Sequence, residues 1–351
     1  MRKGLLVFVI ALALVFPAGA DKVDRAVQAA MRRHPIPGLA LEIIRNGKCV
    51  KRAGYGLANL EWRTPVTPET VFEIGSITKQ FTAAGILLLA QEGRLSLDDR
   101  IALHLKDTPE SWKDVTLRHL LTHTSGIKNY TALDGFGLAG HLTRAQFIRQ
   151  LGTYPLEFQP GEKWAYCNSG FNLLGYVIEN VSGADYWQFM RDRIFSPLGM
   201  SRTAHRDPRD IIPLRAGGYQ TNAAGQFIHR DCDLTDLFAA GAIVSTVDDL
   251  ARWNASLDTH KLLTAASEKE MWTPLRLNNG KTRDYGLGWH LDPLHGHRNI
   301  GHSGSTSGFS ASLQRFPGDG LAVIVLTNSD EEGAATQVAK EIALLFLENG
   351  K

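Results

Sequence analysis

Two kinds of hydrophobic spacing separate the ends of this chain from its middle. Near the N-terminus, residues 38–45 and 51–57 are two short runs that are interpreted as β-strands. The dipeptide Asn46-Gly47 lies between them and predicts a β-hairpin. Near the C-terminus, residues 310–316 and 321–328 flank a Pro-Gly-Asp-Gly turn in the same way. The pattern therefore predicts one hairpin close to each end of the chain.

In most of the remaining chain, apolar residues recur every three to four positions, as in helices. Amphipathic runs at 23–33 and 334–347 predict a helix at each end, and a further helix is predicted from Ser76 onward. In the middle of the chain, the clearest helical patterns cover residues 171–179 and 186–195.

These elements predict an α+β fold. Strands at both ends imply an antiparallel β-sheet built from N- and C-terminal segments and flanked by helices, with an all-helical inserted domain. We expect residues 21–100 and 216–351 to form the sheet domain, and residues 101–215 to form the helical insertion.

The first twenty residues predict a signal peptide rather than a part of the fold. A pair of cations precedes an apolar run at 4–16, and a small-residue cleavage site of the A-x-A type follows at 18–20. The alternative is an anchor that is never cut, although the run is short for a bilayer span. We expect cleavage before Asp21, a periplasmic or secreted protein, and no stable membrane insertion after cleavage.

The composition narrows the classes of function. The 351 residues carry a formal net charge of +2, and Arg2 and Lys3 account for it, so the rest of the chain is neutral. A neutral chain without a basic stretch argues against nucleic-acid binding.

The chain has three cysteines, Cys49, Cys167 and Cys232. An odd number excludes a framework in which every cysteine is paired, but it leaves open one disulfide or small buried side chains. We expect a monomer.

Metal-binding patterns are weak in this sequence. Neither C-x-x-C nor H-E-x-x-H occurs. His290, His295, His297 and His302 fall close together, but they lack ligand spacing and flank glycine and proline turns. We expect no metal and no cofactor.

A Ser-x-x-Lys motif is the first candidate for catalysis. Ser76 and Lys79 are three residues apart, which places them on one face of a helix. A lysine held neutral or hydrogen-bonded there can accept the serine hydroxyl proton. A helix N-cap is the alternative role for Ser76. Ser125 and Lys128 repeat the spacing, but the surrounding Thr-Ser-Gly indicates a turn.

Two further motifs carry polar groups that suit such a site. Tyr166 and Asn168 form Tyr-x-Asn, in which a tyrosine beside a lysine can carry protons and an asparagine can hold a substrate carbonyl. A core tyrosine with an asparagine in a turn is the alternative. His302 and Gly304 form His-x-Gly, where backbone N–H groups can bind a carbonyl oxygen. A histidine in a glycine-rich turn is the alternative.

The order and spacing of these motifs resemble a known family. The chain is similar to the serine β-lactamase superfamily, in the branch of class C β-lactamases, D-alanyl-D-alanine carboxypeptidases, D-amino-acid peptidases and family VIII-type esterases. The resemblance covers nearly all of residues 25–347, and the G-x-S-x-G elbow of another serine-hydrolase fold is absent. The matching segments are residues 65–68 (PVTP), 72–79 (FEIGSITK), 93–99 (GRLSLDD), 116–127 (TLRHLLTHTSGI), 160–175 (PGEKWAYCNSGFNLLG), 197–200 (PLGM) and 301–309 (GHSGSTSGF).

The resemblance implies a role for each motif residue. Ser76 resembles the acylated nucleophile, Lys79 its partner, and Tyr166 the proton shuttle. Asn168 resembles the contact to the substrate amide. The resemblance also implies an oxyanion hole formed by the backbone N–H groups of Ser76 and Ser305.

His302 departs from the Lys-Thr-Gly pattern of class C β-lactamases. A lysine there is a permanent cation, whereas a histidine with an ordinary pKa near ~6.5 is mostly neutral at pH 7. We expect protonation of His302 to favour carboxylate-bearing substrates as the pH falls from 8 to 5. The departure argues against strong β-lactamase activity. His119 and His123 lie outside the motifs and are interpreted as structural.

The sequence thus predicts an exported serine hydrolase that acts through an acyl-enzyme on ester or amide bonds. D-alanyl peptides or small esters are the leading small-molecule substrates. A class C-like β-lactamase that opens the β-lactam amide is one alternative. A catalytically silent penicillin-binding or cell-wall scaffold protein is the other.

Overall fold

The computed structural model describes residues 20–134, 136–137 and 139–348. Apart from Ala20, the predicted signal peptide lies outside the described residues. Within these ranges, no helix has the length and apolar composition needed to cross a membrane.

The strands are numbered in chain order. They are β1 (Gly38–Arg45), β2 (Lys48–Asn59), β3 (Thr64–Pro65), β4 (Phe72–Glu73), β5 (Ala204–His205), β6 (Tyr219–Thr221), β7 (Phe227–His229), β8 (Ile243–Ser245), β9 (Leu275–Arg276), β10 (Thr282–Arg283), β11 (Ile300–Thr306), β12 (Phe309–Phe316) and β13 (Leu321–Thr327).

The α-helices are numbered in the same way. They are α1 (Lys22–Arg33), α2 (Thr78–Gln91), α3 (Ile101–His104), α4 (Leu117–Leu121), α5 (Arg144–Leu151), α6 (Asn168–Ser182), α7 (Tyr186–Met190), α8 (Ser196–Leu198), α9 (Phe238–Gly241), α10 (Val247–Asp258), α11 (Ala265–Met271) and α12 (Ala334–Leu347).

The main sheet joins the two ends of the chain. Its strands run in the order β11-β12-β13-β1-β2-β3, and neighbouring strands are antiparallel. The central pair is β1 with β13, in which Leu41 lies opposite Val325. The predicted antiparallel sheet of N- and C-terminal segments is therefore confirmed.

The alternation of side chains along β1 divides them between two cores. Leu39, Leu41 and Ile43 pack with apolar side chains of α1 and α12 on one face of the sheet. Ala40 and Ile44 belong to the larger core on the other face, which the sheet shares with the remaining helices. The strand is buried along almost its whole length because both of its faces are covered.

Both predicted hairpins are confirmed. Asn46 and Gly47 have φ angles of 49° and 72°, the left-handed values that a tight two-residue hairpin turn needs at both positions. The second hairpin joins β12 to β13 through a 3₁₀ turn at Pro317–Asp319.

The middle of the chain supplies the helices around the candidate site, and α2, α6 and α9 pack against one another. Residues 101–215 are not wholly helical, because β5 pairs with β8 in a small sheet of order β4-β8-β5. The Arg206 N–H extends this pairing by donating to the Ala242 carbonyl at 2.8 Å. The domain boundaries at residues 100 and 216 stay a prediction.

Two helices in the structure differ in their bounds from the helices that the sequence predicts. The helix expected from Ser76 begins at Thr78, because Gly75 has a φ of 50° and a 3₁₀ turn at Gly75–Ile77 comes first. The helix expected over 186–195 is split, since α7 gives way to a π-helical turn at Arg191–Phe195.

The three cysteines are unpaired in the structure. Cys167 is buried, Cys49 is exposed and Cys232 is intermediate. The interpretation of small buried side chains therefore holds for Cys167 alone.

Candidate active site

Ser76 lies on a tight turn between a strand and a helix. β4 leads into the 3₁₀ turn that contains Ser76, and α2 begins two residues later. The Ser76 side chain is partly accessible to solvent. No side chain caps the N-terminus of α2, so the alternative role of Ser76 as a helix cap is wrong.

Lys79 lies one turn along and makes three hydrogen bonds. Its Nζ is 3.0 Å from Ser76 Oγ, 2.8 Å from Asn168 Oδ1 and 2.8 Å from the Ala240 carbonyl oxygen. The amide and carbonyl oxygens can only accept hydrogen bonds. A neutral Lys79 amine therefore points its two N–H bonds at those oxygens and its lone pair at the Ser76 hydroxyl.

Burial determines the protonation of this lysine. The Lys79 side chain is fully buried, and its burial lowers its pKa from 10.5 to about 7 because the charged ammonium loses its hydration. The ring faces of Tyr166 and Phe171 lie 4.8 and 5.5 Å from Nζ and replace that hydration only in part. About half of the molecules therefore carry a neutral amine at pH 7.

Tyr166 lies beside Lys79 and His123. Its ring centroid is 4.8 Å from Lys79 Nζ and 4.3 Å from the centroid of the His123 ring. Burial raises the pKa of Tyr166 above its ordinary value, while a hydrogen bond with Ser76 acts in the opposite direction. The side chain is thus a neutral phenol at pH 7 and can donate a proton.

Asn168 is the first residue of α6 and is fixed on three sides. Its Oδ1 accepts from Lys79, its Nδ2 donates to Thr131 Oγ1 at 3.1 Å, and its backbone N–H donates to Asn129 Oδ1 at 2.9 Å. These bonds turn the amide oxygen towards Lys79. Asn168 therefore orients the lysine, and its contact with a substrate stays a prediction.

The His-x-Gly motif lies on an edge strand rather than in a turn. β11 pairs with β12 on one side only, and Gly301 uses both of its backbone groups to bond His290 across the outer edge. Backbone groups in an antiparallel ladder alternate in direction from residue to residue. The N–H of Ser305, four residues after Gly301 in an unbroken register, therefore points off the same outer edge.

Glycines allow this edge to approach the nucleophile. A Cβ on Gly304 would lie 1.9 Å from the Ile74 carbonyl oxygen and 3.1 Å from the Ser76 nitrogen. A Cβ on Gly75 would lie 2.7 Å from the Ser305 nitrogen. The turn that carries Ser76 and the strand that carries Ser305 are thus in close backbone contact, and their role as an oxyanion hole stays a prediction.

His302 belongs to a buried chain of hydrogen bonds that the sequence did not reveal. Its Nδ1 donates to the Ser303 carbonyl at 2.6 Å, which leaves Nε2 to accept from Tyr285 Oη at 3.3 Å. His123 Nδ1 accepts from the Cys167 N–H at 3.1 Å, so His123 Nε2 donates to Tyr285 Oη at 3.0 Å. The backbone groups of Ser303 and Cys167, at the two ends of this chain of hydrogen bonds, therefore determine which ring nitrogen carries the proton in each neutral histidine.

The expectation that His302 titrates between pH 8 and 5 is wrong. The side chain is buried, and burial lowers its pKa well below 6.5, with nearby His290 and Lys79 acting in the same direction. His302 is consequently neutral at pH 7 and supplies no cation to a substrate there.

Other residues that the sequence analysis singled out have local structural partners. Ser125 Oγ accepts from the Ile127 N–H at 3.2 Å, and Lys128 faces Glu157, so the second Ser-x-x-Lys motif forms a turn as predicted. His119 Nδ1 accepts from the backbone of Thr116 in a capping box.

The C-terminal histidines do not converge on one point. His297 pairs with Asp319 at 3.0 Å, whereas the His290 ring packs against the His302 ring at a tilt, with their centroids 4.8 Å apart. In the described part of the chain, no three histidine, cysteine or acidic side chains come together in a way that could hold a metal ion.

The chain also matches known proteins over nearly its whole length. The model of the family described as Beta-lactamase matches residues 23–347. The chain belongs to the Beta-lactamase family. This family placement confirms the resemblance on which the motif assignments were based, and the antiparallel sheet with its flanking helices agrees with the solved relatives.

Individual relatives share about three residues in ten with this member of the family. Penicillin-binding protein 4* of Bacillus subtilis is 31% identical over 86% of the chain and 70% of its own length. A D-aminopeptidase of Gluconobacter oxydans is 28% identical over 91% of the chain and 60% of its own length. The octameric penicillin-binding protein homologue of Pyrococcus abyssi superimposes with a TM-score of 0.80 at 29% identity, over 93% of the chain and 77% of that structure.

Proposed function

We propose that this protein is a serine hydrolase that forms an acyl-enzyme on Ser76. The observation that carries the proposal is the environment of Lys79. This lysine is buried, its pKa lies near 7, and two acceptor-only oxygens leave its lone pair to the Ser76 hydroxyl. A serine with a neutral amine at 3.0 Å is an activated nucleophile.

Acylation follows from this geometry. The Ser76 Oγ attacks the carbonyl carbon, and its proton passes to Lys79. The carbonyl oxygen becomes negative and is stabilised by the backbone N–H groups of Ser76 and Ser305. Tyr166 gives its proton to the leaving alcohol or amine and takes one back from the Lys79 ammonium, so the leaving group departs neutral. Water then attacks the carbonyl carbon of the acyl-enzyme and gives a proton to the same relay. The bond to Ser76 Oγ breaks, the relay returns the proton to Oγ, and the carboxylic acid product is released.

Small esters and D-alanyl peptides are the substrate classes that we favour. A neutral His302 gives the site no cation at the position where class C β-lactamases carry lysine. The relative named D-aminopeptidase supports a peptidase activity, and the relatives named penicillin-binding proteins keep β-lactams as the second candidate. A binding protein without turnover is the third reading, and the neutral base beside Ser76 argues against it.

We also propose that the protein acts outside the cytoplasm as a monomer. The N-terminal pattern of cations, apolar run and small-residue site motivates the first part. N-terminal sequencing of the exported protein and light scattering test the two parts, with Asp21 as the expected first residue.

Covalent labelling tests the proposal. A fluorophosphonate should label the wild-type protein on Ser76 and leave Ser76→Ala unlabelled, while Ser125→Ala, the matched control from the second motif, should label normally. Peptide mass spectrometry locates the adduct. Persistent labelling of Ser76→Ala would refute the nucleophile. A chromogenic ester and a chromogenic cephalosporin assayed side by side then separate esterase, β-lactamase and silent binding protein.

A further inference from the structure

A buried carboxylate precedes the nucleophile and takes no part in the chemistry described above. Glu73 is the last residue of β4, and only 1% of its side chain is exposed. Its Oε1 accepts from Arg206 Nε at 3.0 Å, and its Oε2 accepts from Thr306 Oγ1 at 2.7 Å. Arg206 is held in turn by Asp231 at 2.9 Å.

These bonds connect the two segments that form the oxyanion hole. Glu73 lies three residues before Ser76, at the start of the turn that carries the nucleophile. Thr306 follows Ser305 directly and ends β11. The Glu73–Thr306 bond therefore crosses from the nucleophile turn to the edge strand, next to the two N–H groups.

The edge strand needs such a connection because its outer edge must stay open for a substrate. β12 bonds β11 on the inner side only, and in the described part of the chain Ser305 makes no backbone hydrogen bond across the outer edge. The contact of Gly304 with Ile74 limits how closely the strand and the turn can approach. It does not stop them from moving apart, whereas a hydrogen bond to a fixed carboxylate does.

We propose that Glu73 is a positioning residue that holds the Ser76 and Ser305 N–H groups at the spacing of the oxyanion hole by accepting a hydrogen bond from Thr306. Arg206 fixes the carboxylate by pairing with its other oxygen. The inference rests on the proposed hydrolase function, because it concerns the oxyanion hole of that site.

Thr306→Val is the primary test, because it keeps the shape of the side chain and removes only the hydroxyl. Thr306→Ser keeps the hydroxyl and serves as the rescue. Thr203→Val is the matched control, since Thr203 is also buried and donates to a different carboxylate, that of Asp249, at 2.9 Å.

Kinetics with p-nitrophenyl acetate give the first readout. We expect Thr306→Val to lower kcat about tenfold with KM within about twofold, because both acylation and deacylation form the oxyanion. Thr306→Ser and Thr203→Val should stay within about twofold of wild type. Glu73→Gln should lower kcat in the same direction as Thr306→Val, since its amide nitrogen faces a donor.

The ³¹P chemical shift of the fluorophosphonate adduct gives the second readout, because the phosphonyl oxygen occupies the oxyanion position. In Thr306→Val the shift should move from the native value towards that of the denatured adduct, and in Thr203→Val it should not. A native shift and a native kcat in Thr306→Val would overturn the positioning role. Failure of the wild type to form any adduct on Ser76 would instead overturn the proposed hydrolase, and this inference with it.

Discussion

The protonation of Lys79 should set the pH dependence of the enzyme. A lysine with a pKa of 10.5 is neutral in about 1 of 3,000 molecules at pH 7, whereas burial lowers the pKa of Lys79 to about 7 and makes about half of them neutral. The fraction of neutral amine rises by about 10³-fold, which lowers the activation free energy by at most about 4 kcal/mol because an amine of lower pKa is also a weaker base. Because only the neutral amine accepts the Ser76 proton, activity should be lost as the pH falls through about 7.

The assay is kcat/KM for a neutral aryl ester between pH 5.5 and 9. The profile should rise with pH on an acid limb centred near 7 and then reach a plateau. Three titratable side chains near Lys79 do not account for a limb near pH 7, because burial raises the pKa of Tyr166 and lowers the pKa values of His123 and His302 well below 6.5. Burial also raises the pKa of Glu73, while Thr306 and Arg206 act in the opposite direction, so Glu73→Gln must keep the acid limb if the limb is to be assigned to Lys79.

Two variants decide whether the limb belongs to Lys79. Lys79→Ala should lose the limb together with at least ~10²-fold of activity. Lys128→Ala removes the lysine of the second Ser-x-x-Lys motif, which pairs with Glu157 at the surface, and should keep the limb unchanged. A flat profile in the wild type, or an unchanged limb in the residual activity of Lys79→Ala, would refute the reasoning.

Three further predictions concern the rest of the site. Tyr166→Phe should lower kcat at least ~10²-fold. The double variant with Lys79→Ala should be little worse than either single variant, because the two groups share one relay. A loss in the double variant equal to the product of the two single losses would show that they act independently. Gly304→Ala should abolish ester hydrolysis, since its Cβ would lie 1.9 Å from a backbone oxygen, whereas Gly318→Ala, which has open space around it, should be neutral in the same assay. Because His302 stays uncharged, it should not make the preference for a carboxylate-bearing ester over a neutral ester depend on pH between 8 and 5. The measurement is the ratio of the two kcat/KM values. A ratio that rises as the pH falls in wild type, and not in His302→Gln, would contradict this.

Local patterns in the sequence predicted the elements that local chemistry determines. Asn46-Gly47 specifies a hairpin because both positions need left-handed backbone, and the amphipathic run at 334–347 specifies a helix because its apolar stripe repeats every three to four residues. The spacing of Ser76 and Lys79 predicted their contact for the same reason, since residues three apart meet on a helical turn.

The parts of the site that escaped prediction depend on contacts between distant segments. The Ala240 carbonyl, which fixes the direction of the Lys79 lone pair, lies 161 residues away and has no side-chain signature. Tyr285 is recognisable as part of the site only when the fold places it between His123 and His302. The titration of His302 was misjudged because a pKa depends on burial, which a sequence motif does not contain.

The strand order of the main sheet has a consequence for the synthesis of the protein. β1 and β2 can form their hairpin as soon as they are made, but the other edge of β1 waits for β13, which follows every other strand in chain order. Until then, an apolar strand presents an unpaired row of backbone groups that can pair with a neighbouring nascent chain. The sheet can close only after β13 has been made, so folding is delayed by the order of synthesis, and chains that stop short of residue 321 keep an aggregation-prone edge.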